Sequence, residues 1–155
     1  MPLLRAALSW NFVLATAICA SLLAQLIKVF LNLFIFHRFI AERMWGAGGM
    51  PSSHSATVCA MVVATGRYCG VNSPIFAIAA VLSIIVMYDA MGVRYETGEQ
   101  AKVLNRMFTE WMDQGFEQFQ LPHGKKLKEM VGHTPIEVVT GAALGIVLGF
   151  AMPMV

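Results

Sequence analysis

Two histidines in this chain stand inside short motifs that could put them to chemical use. The first is His54, within Gly48-Gly49-Met50-Pro51-Ser52-Ser53-His54-Ser55-Ala56. Paired glycines let a backbone approach closely, and the proline stiffens the path into whatever follows. Ser52, Ser53 and the first free N–H groups of a helix starting here would face one small volume, and such a helix start attracts phosphate. His54 would be placed to give a proton there. The same residues also read as an ordinary capped helix carrying an interfacial histidine.

The second is His133, within Gly132-His133-Thr134-Pro135-Ile136-Glu137. His133 and Glu137 are four residues apart and share a face if the turn is helical. A carboxylate beside an imidazole fixes its tautomer and stabilises its cation. The other ring nitrogen is then ready to attack phosphorus. Thr134-Pro135-Ile136-Glu137 equally fits a helix N-terminus, with Thr134 as N-cap, Pro135 at the first position and Glu137 closing a capping box. The two uses are compatible.

Further charged residues could join this pair. Lys28 interrupts an apolar run, where an ionisable group is costly and usually functional. Asp89 and Arg94 fall in Tyr88-Asp89-Ala90-Met91-Gly92-Val93-Arg94 and also suit a structural ion pair. Lys128 belongs to a basic cluster with Lys125 and Lys126. Arg67 reads as a cation snorkelling to the opposite surface. His37 and His123 have no partner pattern and read as loop residues.

Holding these groups together is a task for apolar elements. Of 155 residues, 57% are hydrophobic and only 13% charged, with a mean hydropathy of +0.65. Soluble domains carry about 25% charged residues. The composition argues against a soluble globular domain and against disorder. A net charge of +2 is too weak for a nucleic-acid partner. Cys19, Cys59 and Cys69 lie in or beside apolar stretches without a C-x-x-C pair, so buried free thiols are expected.

The expected fold is an all-α, polytopic membrane helix bundle forming one domain over residues 1–155. A membrane span takes about 20 residues. Four stretches qualify: about 10–36, 55–71, 74–93 and 136–155. Helices are the natural choice in lipid, because they satisfy their own backbone. An amphipathic surface helix is expected at about 95–114, with Ala101, Leu104, Phe108 and Trp111 forming its buried stripe. His54 and His133 are 79 residues apart, yet two intervening spans return them to one membrane face. The long connections on that face carry eight of the eleven basic residues, so the positive-inside rule puts the site side in the cytoplasm. Gly141, Gly145 and Gly149 form a stripe that suits either an internal helix contact or a homodimer.

At these residues the chain resembles the divergent branch of the type 2 phosphatidic acid phosphatases, a superfamily shared with vanadium-dependent haloperoxidases. The marks are the Gly48-to-Ala56 motif, the Tyr88-to-Arg94 segment with Gly98-Glu99-Gln100-Ala101, and Leu127-Lys128-Glu129 followed by Gly132-to-Val138. The resemblance covers roughly Leu22 to Gly149. The superfamily pattern is K-x6-R-P, then P-S-G-H, then S-R-x5-H-x3-D. Pro51-Ser52-Ser53-His54 matches the second block with Ser for Gly, and His133-Thr134-Pro135-Ile136-Glu137 matches the H-x3-D end with Glu for Asp. Lys28 stands for the first-block lysine, without the following R-P. Leu127 occupies the place of the third-block arginine, for which Lys128 or Arg94 could substitute.

The resemblance implies His133 as nucleophile, Glu137 as its orienting carboxylate and His54 as acid to the leaving oxygen. The expected phosphate-binding groups are Lys28, Ser52, Ser53, Arg94 and Lys128, with Asp89 in a structural polar role. The expected activity is hydrolysis of a lipid phosphate monoester or diphosphate through a phosphohistidine, with no metal or other cofactor. The expected surroundings are the bilayer, a plasma membrane if the source is bacterial, and a lipid-phosphate ligand. The alternative is a lipid-phosphate binding, transport or scaffold protein that keeps the pocket without turnover.

Overall fold

A computed structural model describes residues 11–36, 49–114, 126–129 and 131–154. His37, His123 and Lys125 lie outside the described residues. The described chain forms five helices: α1 (Phe12–Phe36), α2 (Ser53–Cys69), α3 (Pro74–Met91), α4 (Val93–Asp113) and α5 (Pro135–Ala151). Helices thus run through the stretches expected at about 10–36, 55–71, 74–93, 95–114 and 136–155. Phe12–Phe34 and the stretch beginning at Pro74 are long and apolar enough to cross a membrane, and α5 is a shorter apolar helix.

Local signals in the sequence set the helix boundaries. The Asn11 side chain accepts the Leu14 N–H at the start of α1. Ser73 caps α3 by accepting the Phe76 N–H, with Pro74 in the first turn, where its missing N–H costs nothing. Gly92 breaks the helical path between α3 and α4.

The core is built mainly from small side chains, and most of the large apolar ones point outward. Ala20 and Ala24 of α1 meet Ala56 and Ala60 of α2, with Leu144 and Leu148 of α5 packed against them. Leu22, Ile78, Ile84 and Phe150 are exposed. This inside-out arrangement suits lipid, because helices there associate by close packing of small residues.

The glycine stripe of α5 shows how close that packing is. A Cβ on Gly141 would drive into the Ser52 backbone, one on Gly145 into Ala56, and one on Gly149 into Val63. Helices α2 and α5 therefore run parallel and in register. The stripe serves the internal contact, and a homodimer through Gly141, Gly145 and Gly149 would have to displace α2.

Both ends of this pair are tied. At one end the Ser52 N–H donates to the Glu137 carbonyl at 2.9 Å. At the other, Arg67 donates to the Gly149 and Met152 carbonyls at 2.6 and 2.7 Å and lies over the Phe12 ring. Arg67 thus stands at the end of the bundle opposite the histidines, with its guanidinium held by the α5 carbonyls. The last carbonyls of α5, left without intrahelical partners, attract the guanidinium inward.

Two further expectations change. On α4 the buried residues are Gly98, Ala101 and Asn105, while Leu104 is 44% exposed. The helix turns its smallest side chains inward because the segment before α5 crosses it closely; Phe108 and Trp111 remain half-buried, ring edge to face. All three cysteines are free, but only Cys59 is buried; Cys69, in the outward-facing last turn of α2, is exposed.

Candidate functional site

The crossing segment, described at residues 126–129 and 131–133, delivers His133. The Asn105 amide donates to the Leu127 carbonyl at 2.9 Å and accepts the Leu127 N–H at 2.8 Å, imitating a backbone partner. It also donates to the Glu129 carboxylate at 2.8 Å. Gly98 lies directly beneath the Glu129 carbonyl, and Gly132 lies against the Tyr95 backbone, so neither position has room for a Cβ. The segment then ends with the His133 N–H donating to the Ala90 carbonyl at 3.1 Å. Sequence reasoning missed Asn105. It also left Gly98 and Gly132 without a role, although both stand in the quoted motifs.

His133 is 2% exposed, and its Nδ1 lies 3.1 Å from Glu137 Oε2. That is the geometry of a ring N–H donating to a carboxylate. The same Oε2 accepts the Thr134 N–H at 3.1 Å, so Glu137 caps α5 and holds the ring at once. With Nδ1 so engaged, Nε2 is left buried and without a hydrogen-bond partner.

His54 stands beside this ring. The two centroids are 6.2 Å apart and the planes are tilted by 58°. His54 projects from the first turn of α2 and is exposed, so it forms the open side of the pair. Ser52 and Ser55 are fully buried beneath it. The Ser52 hydroxyl accepts the Ser55 N–H at 3.3 Å and the Ser55 hydroxyl at 3.1 Å. Ser52 is thus the N-cap, a role the sequence allowed. Ser53 is the buried first residue of α2.

Because α2 and α5 are parallel, both positive helix ends arrive at the two histidines. Parallel dipoles repel each other, and an anion between their N-termini relieves that repulsion. Lys28 adds a cation. Its side chain is 2% exposed and runs under Gly49, where a Cβ would meet it at 3.4 Å. It lies within electrostatic reach of both Glu137 and His54.

The remaining candidates are less closely drawn in. The Arg94 Nε donates to Asp89 Oδ2 at 2.6 Å, making the ion pair the sequence allowed for Asp89. Arg94 is half-exposed and acts on His54 only through its field. Lys128 is exposed on the segment that Asn105 holds, and among the described residues no contact brings it to the histidines.

Comparison with known proteins bears on this arrangement. The sequence profile described as the Divergent PAP2 family matches residues 9–148. The chain belongs to that family. The match takes in both histidine motifs, the Asp89–Arg94 pair and the glycine stripe of α5 as far as Gly145. A relative in Bacillus subtilis (strain 168), "Uncharacterized membrane protein YuiD", is 38% identical over 144 residues, covering 89% of this chain and 91% of the relative. No solved structure matches significantly. This Divergent PAP2 protein is accordingly an all-helical membrane protein.

Proposed function

We propose that this protein hydrolyses a lipid phosphate monoester or diphosphate through a phosphohistidine. One observation carries the reading: a buried imidazole nitrogen, His133 Nε2, has no partner while its ring is held by Glu137 beside a second histidine. A buried polar atom left unpaired is costly, and a ligand that engages it removes the cost.

In this mechanism His133 Nε2 attacks phosphorus. The N–P bond forms as the ester P–O bond breaks, and His54 gives its proton to the leaving oxygen. Glu137 stabilises the imidazolium created at His133. His54, now neutral, takes a proton from water, whose oxygen attacks phosphorus and breaks the N–P bond. Lys28 and the N–H groups at the start of α2 stabilise charge developing on the phosphoryl oxygens. The exposure of His54 supports its role, because the second step needs water.

The non-catalytic binding reading is favoured by one observation. Arg94 is already paired with Asp89, which leaves Lys28 as the one buried lysine or arginine among the described residues. We further propose that α1, α2, α3 and α5 all cross the membrane and that the site opens to the cytoplasm, on the basic-residue bias. The deciding experiment is phosphate release from a panel of lipid phosphates by purified protein, with His133→Ala as control. Release that depends on His133 supports hydrolysis; tight binding without release supports the binding protein.

A further inference from the structure

We infer that Asp89 and Arg94 are positioning residues: their ion pair latches the joint between α3 and α4 and so sets where His133 lies. The inference rests on the histidine pair as the phosphate site, and it gives Arg94 a role other than gripping phosphate.

The joint is a break in one helical path. Gly92, between α3 and α4, departs from helical backbone with ψ −91°. In an unbroken helix the Arg94 N–H would donate to the Ala90 carbonyl. That carbonyl instead accepts the His133 N–H at 3.1 Å. Beside it, a Cβ on Gly132 would strike the peptide that joins Arg94 to Tyr95. Gly132 and His133 therefore sit at the break itself. The last turn of α3 lies on one side of them and the first turn of α4 on the other.

Few restraints set the angle of this break. Glycine has no side chain to resist rotation. Among the described helices, α4 packs on α3 alone. The segment before α5 is bound to α4 through Asn105, so it travels with α4, whereas the glycine stripe fixes α5 against α2. His133 is caught between these parts, its N–H on α3 and its ring on Glu137 of α5. Among the described residues, the ion pair that spans the break is Arg94 Nε to Asp89 Oδ2, at 2.6 Å. With side chains 49% and 39% exposed, it adds little to global stability. Its leverage is local, because a reacting group is sensitive to a misplacement of about 1 Å.

The two roles open to Arg94 predict opposite signs. If Arg94 gripped phosphate, Asp89→Asn would free it and remove a repelling charge, and inorganic phosphate would bind more tightly. As a latch, the pair is lost, His133 shifts, and phosphate binds about three- to tenfold more weakly. Purified wild-type chain, Asp89→Asn, Arg94→Gln and the reversed pair, Asp89→Arg with Arg94→Asp, are titrated with inorganic phosphate at one ionic strength. The reversed pair is expected within about twofold of the wild type, because it remakes the bridge. Unchanged or tighter binding by Asp89→Asn overturns the latch. So does a folded reversed pair that binds no better than Arg94→Gln. Amide exchange gives a readout that needs no phosphate. The His133 N–H is expected to exchange about three- to tenfold faster in Asp89→Asn, while Gly145 in the middle of α5 is unchanged. Equal exchange at His133 overturns the latch. Faster exchange at His133, with no phosphate binding even by the wild type, would keep the latch and sink the phosphate reading.

Discussion

Glu137 does two jobs that substitution can separate. Its Oε2 accepts the Thr134 N–H as a helix cap and faces His133 Nδ1. Gln can cap in the same way, because its side-chain oxygen also accepts a backbone N–H. Gln cannot stabilise an imidazolium with a negative charge. Glu137→Gln should therefore melt near the wild-type temperature yet lose about 10²–10⁴-fold in turnover. Phosphate release and thermal unfolding, measured on the same sample, check both halves; activity that survives would reject the mechanism. His54 gives a second expectation, because an acid matters most when the leaving oxygen is a poor leaving group. His54→Ala should slow an alkyl phosphate by about 10²-fold or more while slowing a nitrophenyl phosphate far less. Equal losses on the two substrates would remove His54 as the proton donor.

The helices and the segment between α4 and α5 decide whether those side chains meet. His133 is held through a relay: Asn105 fixes Leu127, Gly98 admits the Glu129 carbonyl, and Gly132 lets the chain turn against Tyr95 before His133 bonds Ala90. Gly98→Ala should push this segment off α4. A cost of about 1–3 kcal/mol is typical of overpacking. Thermal unfolding should shift down, and phosphate release should fall although no group in the histidine pair has changed. A variant with wild-type activity and a wild-type melting point would show that the close crossing is unimportant. Much of this level was legible in the sequence. Long apolar runs, Ser52 and Ser73 caps, and Pro74 and Pro135 at helix starts depend on neighbouring residues alone, so they can be read from a linear chain. The pairing of Asn105 with Leu127 spans 22 residues and relies on a shape the chain acquires only after folding. The buried stripe of α4 was misread at Leu104 for the same reason. Periodicity finds apolar residues, whereas this helix buries glycine, alanine and asparagine because backbone must fit there.

In the assembled molecule, chain direction alternates through α1, α2 and α3, and α4 lets α5 begin at the same end of the bundle as α2. This is why His54 and His133 converge despite their distance in sequence, and the two intervening apolar stretches made that legible beforehand. The sequence could not tell which helix the glycine stripe would meet. Small residues permit close approach by any partner, and the choice of α2 depends on both helices beginning at one face.

The match between α2 and α5 has the regularity of a rack with evenly spaced teeth. Ser52, Ala56 and Ala60 are spaced by four, as are Gly141, Gly145 and Gly149. Sliding by four residues, about 6 Å, would bring small residues opposite one another again. The teeth alone thus admit more than one setting, and only the present one sets the two imidazoles side by side. What selects it is the fastening at the ends, including the clasp of Arg67 on the Gly149 and Met152 carbonyls. Arg67→Met should therefore populate a slipped setting. Spin labels on native Cys69 and on Phe150→Cys, in a chain with Cys19 and Cys59 replaced by alanine, would report it as a second distance population displaced by up to about 6 Å. A single unshifted population would mean that the near end alone suffices. If the slip occurs, a cation at the membrane face opposite the histidines acts as the molecule's alignment pin.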